Sequence, residues 1–142
     1  YDLFENPAAA EELDFQYMPL EDLLAESHAV TLHVSLNKAT HHLMDADRLA
    51  QMKTGTLLIN TSRGAVVDTQ ALISALRSGH IGGAGLDVLE DEHERHHDFG
   101  GLNVVVTPHL GWYTDGAVDR ILTIALTGIE AFMRGERINR VC

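Results

Sequence analysis

The stretch from Thr56 to Val88, TLLINTSRGAVVDTQALISALRSGHIGGAGLDV, decides the fold class. It opens on a short apolar run, Thr56-Leu57-Leu58-Ile59-Asn60, and closes on another, Ala84-Gly85-Leu86-Asp87-Val88. Between them lies a helix signal over Thr69–Ser78. Asp68 can cap its free N–H groups, Leu72, Ala75 and Leu76 share one face, and Gly79 supplies a left-handed stop. Strand, helix and strand in that order give an α/β domain with a mostly parallel sheet.

The same alternation continues outward on both sides. Ala29-Val30-Thr31-Leu32-His33-Val34 and Asn103-Val104-Val105-Val106-Thr107 read as further strands, and Asp14-Phe15-Gln16-Tyr17-Met18 as a weaker one. The runs are nearly continuous in apolar residues, which predicts a sheet covered on both faces. Helices are expected over Leu20–Ser27 and, behind an Asp45 cap, over Asp45–Met52. The longest begins at Thr114 or Asp115 and runs to Gly135, with Ala117, Ile121, Ile124, Ala125, Gly128 and Phe132 as its apolar stripe.

A chain of 142 residues with 45% hydrophobic and 22% charged residues fits one globular domain. Apolar runs such as Ala65–Val67 are too short to cross a bilayer, and no basic and apolar leader opens the sequence. The single cysteine, Cys142, permits no intrachain disulfide, which favours a cytoplasmic location. A net charge of −11 argues against nucleic acid and anionic membranes as partners, because both repel an acidic surface.

In an open parallel sheet, ligands bind beyond the carboxyl ends of the strands. That edge collects Thr61-Ser62-Arg63-Gly64 after one strand, Leu89-Glu90-Asp91-Glu92 after the next, and Pro108-His109 after the last. A guanidinium grips a carboxylate bidentately, and an imidazole moves protons near neutral pH when a carboxylate supports its charged form. The combination suits a site for a small carboxylic acid.

At these residues the chain resembles the D-isomer-specific 2-hydroxyacid dehydrogenases. Ile59 to Gly64 followed by Val67-Asp68 and Ala71-Leu72, Gly83 to Val88 followed by Glu90 and Glu92, and Val106-Thr107-Pro108-His109 resemble three ordered motifs of that family. Leu32-His33-Val34 resembles the segment passing the nicotinamide-side ribose. The resemblance implies hydride transfer between NAD and a small 2-hydroxy or 2-oxo acid, in a cytoplasmic homo-oligomer, a dimer. It implies Arg63 as the carboxylate clamp, His109 as proton donor and acceptor, and Glu92 as the partner that raises the histidine's pKa. Asp2, His33, Val34, Thr61, Ser62, Arg63, Asp87 and His109 would line the cofactor, with Asp87 near the carboxamide and Asp2 on the adenosine ribose. Trp112 and Tyr113 resemble the D-lactate dehydrogenase branch and would shape the substrate pocket. Ser35 and His93 stand where the family usually has proline. His93, His96 and His97 share a helical face, but Glu94 and Arg95 between them read as solvated loop, so no metal is expected.

No Gly-x-Gly-x-x-Gly opens a helix, and Gly82-Gly83-Ala84-Gly85 precedes a strand instead. The chain is therefore expected to be the C-terminal portion of a partial Rossmann-type NAD-binding domain whose first strands are missing. Residues 1–27 would be an orphan strand and helix, 28–134 the sheet core and 135–142 a tail toward an absent substrate domain. The empty slot predicts either displacement of residues 1–27 or a partner over the bare edge at Ala29–Val34. Alone, such a chain is expected to be inactive. The alternative is a corepressor-like binding or scaffold protein linked to NAD. A hydrolase has little support, since no Gly-x-Ser-x-Gly turn is present.

Overall fold

A computed structural model of the chain describes residues 1–91 and 97–138. It divides into two compact units, Tyr1–Pro108 and His109–Cys142. The first unit holds a four-stranded parallel sheet in the order β1-β2-β3-β4. Its strands are β1 (Ala29–Leu32), β2 (Thr56–Asn60), β3 (Ile81–Leu86) and β4 (Val104–Val106). Helices α1 (Pro7–Glu12), α2 (Leu20–Glu26), α3 (Ala46–Gln51) and α4 (Thr69–Arg77) lie along the same unit. The second unit contains α5 (Asp115–Met133).

Local chemistry sets the helix starts. Asp68 accepts from the N–H groups of Gln70 and Ala71, Asp45 from Arg48, and Thr114 from Ala117. Each cap satisfies N–H donors that have no partner inside the helix. α4 ends at Arg77, and Gly79 just beyond its Ser78 cap, with φ +76°, provides the expected left-handed stop. Its buried Leu72 and Leu76 face a core that includes Leu24, Val30, Leu49, Leu58, Val66 and Ile81. Each fully buried aliphatic side chain contributes about 1.5–3 kcal/mol of transfer free energy.

Several expectations need correction. β3 begins at Ile81 rather than Ala84, because glycine lets the chain run close to its neighbours. A Cβ on Gly82 would lie 2.4 Å from the Gly55 carbonyl oxygen, and one on Gly83 would lie 2.5 Å from Asn103 Nδ2. Asp14–Met18 forms no strand: Asp14 has φ +53°, and Tyr17 turns its hydroxyl to accept the Asn6 N–H. α1 was not foreseen, although Asn6 as cap and Pro7 at the first helical position are its signals. Among the described residues of the first unit, one face of β1 and β2 is open. Burial alternates along β1 and β2, leaving Leu57 46% and Ile59 39% exposed while Leu58 is fully buried. Displacement does not reach α2, since Leu24 is fully buried in the core.

Candidate active site

Asn60 ends β2 and is fully buried. Its Nδ2 donates to the Arg63 carbonyl at 3.0 Å, and its Oδ1 accepts from the N–H of Ser62 at 3.0 Å and the hydroxyl at 2.9 Å. One buried amide thus shapes the whole Thr61–Arg63 turn, and with its partners met it avoids the cost of burying a polar group. Arg63 is exposed, with Nη1 donating to the Ser62 carbonyl at 2.7 Å.

The next residue explains why this turn lies beside the one after β3. A Cβ on Gly64 would fall 2.0 Å from the carbonyl carbon and oxygen of Leu89 and 2.4 Å from the Glu90 nitrogen. Only glycine allows that approach. The Arg63 turn and the Leu89–Glu90 peptide are therefore in backbone contact. Between them and the sheet, buried Asp87 accepts from the Thr107 hydroxyl at 2.5 Å, and its N–H donates to the Asn60 carbonyl at 2.9 Å.

A third segment joins from the loop after β1. The His42 imidazole lies 2.7 Å from Glu90 Oε1, with Nε2 as its contacting atom. Burial pushes the Glu90 carboxyl up, but bonds from His42 and the Thr69 N–H outweigh it and hold the group below its ordinary value. His97 Nε2 donates to the Glu90 carbonyl at 2.6 Å. Ligand atoms of His41, His42 and Glu90 lie within 4.8 Å of one another. The two histidine rings are stacked, 4.1 Å apart and tilted by 28°. In-plane lone pairs of rings so nearly parallel run side by side and do not meet at one ion about 2 Å from each.

The remaining predicted residues divide by place. Asp2, exposed, accepts from the Phe4 N–H at 2.9 Å. His33 shares a hydrogen bond with the Thr31 hydroxyl at 2.9 Å, and Val34 packs partly buried against the core. His109 opens the second unit with φ +58°, and its carbonyl accepts from Trp112 Nε1 at 3.1 Å. Trp112 and Tyr113 stand edge to face, 5.3 Å apart. Glu92, His93 and His96 lie outside the described residues. The roles of Asn60, Gly64 and His42 were missed. A polar residue closing an apolar strand and a glycine after an arginine were available signals; His42 offered none, because its partner is 48 residues away.

The donor set suits the nicotinamide end of a dinucleotide: a buried carboxylate at Asp87 and hydroxyls at Thr61, Ser62 and Thr107, all at carboxyl ends of parallel strands. A glycine loop for the pyrophosphate is not among these residues.

Residues 1–111 match the family model for the D-isomer specific 2-hydroxyacid dehydrogenase NAD-binding domain. The chain is 45% identical over 132 residues to a glyoxylate reductase of Thermococcus onnurineus, covering 92% of this chain and 40% of that protein. It is 38% identical over 161 residues to an aromatic 2-oxoacid reductase of Clostridium sporogenes, covering all of this chain and 47% of that one. The crystal structure of D-lactate dehydrogenase with NAD+ from Lactobacillus jensenii superposes with a TM-score of 0.88 at 34% identity, over 100% of this chain and 47% of the other. The chain thus spans less than half the length of these relatives. With a parallel α/β sheet, three interlocked turns at its carboxyl edge and a family match over most of its length, the chain belongs to the D-isomer specific 2-hydroxyacid dehydrogenases, in the part that binds NAD.

Proposed function

We propose that these residues serve an oxidoreductase that interconverts a 2-oxo acid and a D-2-hydroxy acid, with Arg63, Glu92 and His109 as its catalytic residues. The observation that carries this reading is the backbone contact between the Arg63–Gly64 turn and the Leu89–Glu90 peptide, which keeps the guanidinium's turn beside the strand end leading to Glu92. NAD, when bound, supplies the hydride or accepts it at C2. Arg63 binds the substrate carboxylate in a two-pronged grip and orients the oxo group. His109 gives its proton to the carbonyl oxygen during reduction and takes it back during oxidation, and Glu92 favours its protonated form. Asp87, Thr61, Ser62, His33 and Val34 line the nicotinamide side, Asp2 the adenosine ribose, and Trp112 with Tyr113 the substrate side chain. By itself the chain is expected to be inactive, because no glycine loop is present to hold the pyrophosphate. The test is reduction of a panel of 2-oxo acids by NADH in the intact protein that carries these residues. His109→Ala should lower kcat by about 10²–10⁴-fold. Unchanged turnover in that variant would end the assignment.

A further inference from the structure

Around the Arg63–Val67 segment, three contacts close a ring. On one side the His42 N–H donates to the Ala65 carbonyl at 2.8 Å and the Met44 N–H to the Val66 carbonyl at 3.0 Å. On the other, Gly64 rests on the Leu89–Glu90 peptide, where a Cβ would come within 2.0 Å. The third contact joins the two flanks directly, from the His42 imidazole to Glu90 Oε1 at 2.7 Å. The first two contacts involve backbone alone; the third, the His42–Glu90 pair, is a side-chain link.

We infer that His42 and Glu90 are positioning residues for Arg63, a strut that keeps the flanks of its turn together and so sets where the guanidinium meets substrate. The inference rests on the reading of Arg63 as the carboxylate clamp. Three features support it. The pair is only partly exposed, 33% at His42 and 21% at Glu90, so its hydrogen bond is shielded from competing water. Glu90 has further neighbours: the ring of His41, stacked on His42, lies near its carboxylate, the Thr69 N–H reaches its second oxygen at 3.5 Å, and His97 donates to its carbonyl. The backbone is also bent into the left-handed region at His42, φ +50°, and at Asp91, φ +51°, which non-glycine residues adopt only where surrounding contacts hold them.

Steady-state kinetics on the intact reductase test this, with thermal unfolding and NADH affinity measured for each variant. Glu90→Ala should raise KM for the 2-oxo acid, and the inhibition constant of oxamate, by about tenfold. Its KM for NADH should stay within about twofold of the parent. Glu90→Gln keeps an oxygen for the imidazole N–H and should restore substrate KM to within about twofold, which a simple loss of charge would not do. Adding His42→Ala to Glu90→Ala should cost little more than either change alone. The strut is overturned if Glu90→Ala leaves substrate KM unchanged, if both KM values move together, or if Glu90→Gln is as impaired as Glu90→Ala. Arg63→Ala separates the two ideas. If it leaves substrate KM unchanged, the clamp itself is wrong; if it raises KM while Glu90→Ala does not, only the strut fails.

Discussion

Replacing Gly64 with alanine forces a new methyl group into the Leu89–Glu90 peptide. Its Cβ would start 2.0 Å from two backbone atoms and needs at least 3.4 Å for ordinary contact, so one turn must move by about 1.4 Å. Neither neighbour is a flexible side chain tip, and the Arg63 turn is further fixed by the buried Asn60 amide. Overpacking of this kind costs about 1–3 kcal/mol. For a chain of this size that lowers the melting temperature by roughly 3–12 °C. The same displacement moves the guanidinium away from its working position, and a misplacement near 1 Å can cost about 10²-fold in kcat/KM. Thermal unfolding by circular dichroism and steady-state reduction of the 2-oxo acid in the intact protein read the two effects. Gly128→Ala is the control: among the described residues nothing lies within 4 Å of its Cβ and it sits inside α5, so alanine there should add about 0.5–1 kcal/mol of stability. A Gly64→Ala protein that melts within about a degree of the parent and keeps full kcat/KM would refute the interlock.

Three further outcomes follow from the same contacts. Leu24→Ala should destabilise by about 2–5 kcal/mol in chemical denaturation, since Leu24 docks α2 with no exposed surface; a near-neutral result would mean that α2 is displaced after all. Asp68→Ala removes the acceptor of two N–H groups and should cost about 0.5–2 kcal/mol, while Asp68→Asn should recover most of it. Glu90 is held below its ordinary value of 4.5, so its stabilising contribution is present above that pH and is lost as pH falls through the lowered value. Denaturant midpoints measured from about pH 6 down to pH 3 should therefore fall more steeply in the parent than in Glu90→Gln, and parallel curves would contradict the assigned pair.

The sequence by itself determined what is local or periodic. Among the described residues, three of the five α-helices announce themselves through Asp45, Asp68 and Thr114 at their starts and apolar spacing behind them, because caps and amphipathic faces act within a few residues. The α/β class and the edge that gathers Arg63 and Glu90 follow from strand order alone, because parallel crossovers put every strand's carboxyl end on one side. Tertiary structure decided the rest. Asp14–Met18 has strand-like composition yet remains outside the sheet, since a strand exists only by pairing and composition does not supply a neighbour. Strand composition likewise gave no sign that Leu57 and Ile59 would be exposed in the first unit, because coverage depends on which elements pack there. The His42–Glu90 bond and the close approach of Gly64 to Leu89 join residues far apart in the chain, and such contacts appear only when folding brings their segments within bonding distance.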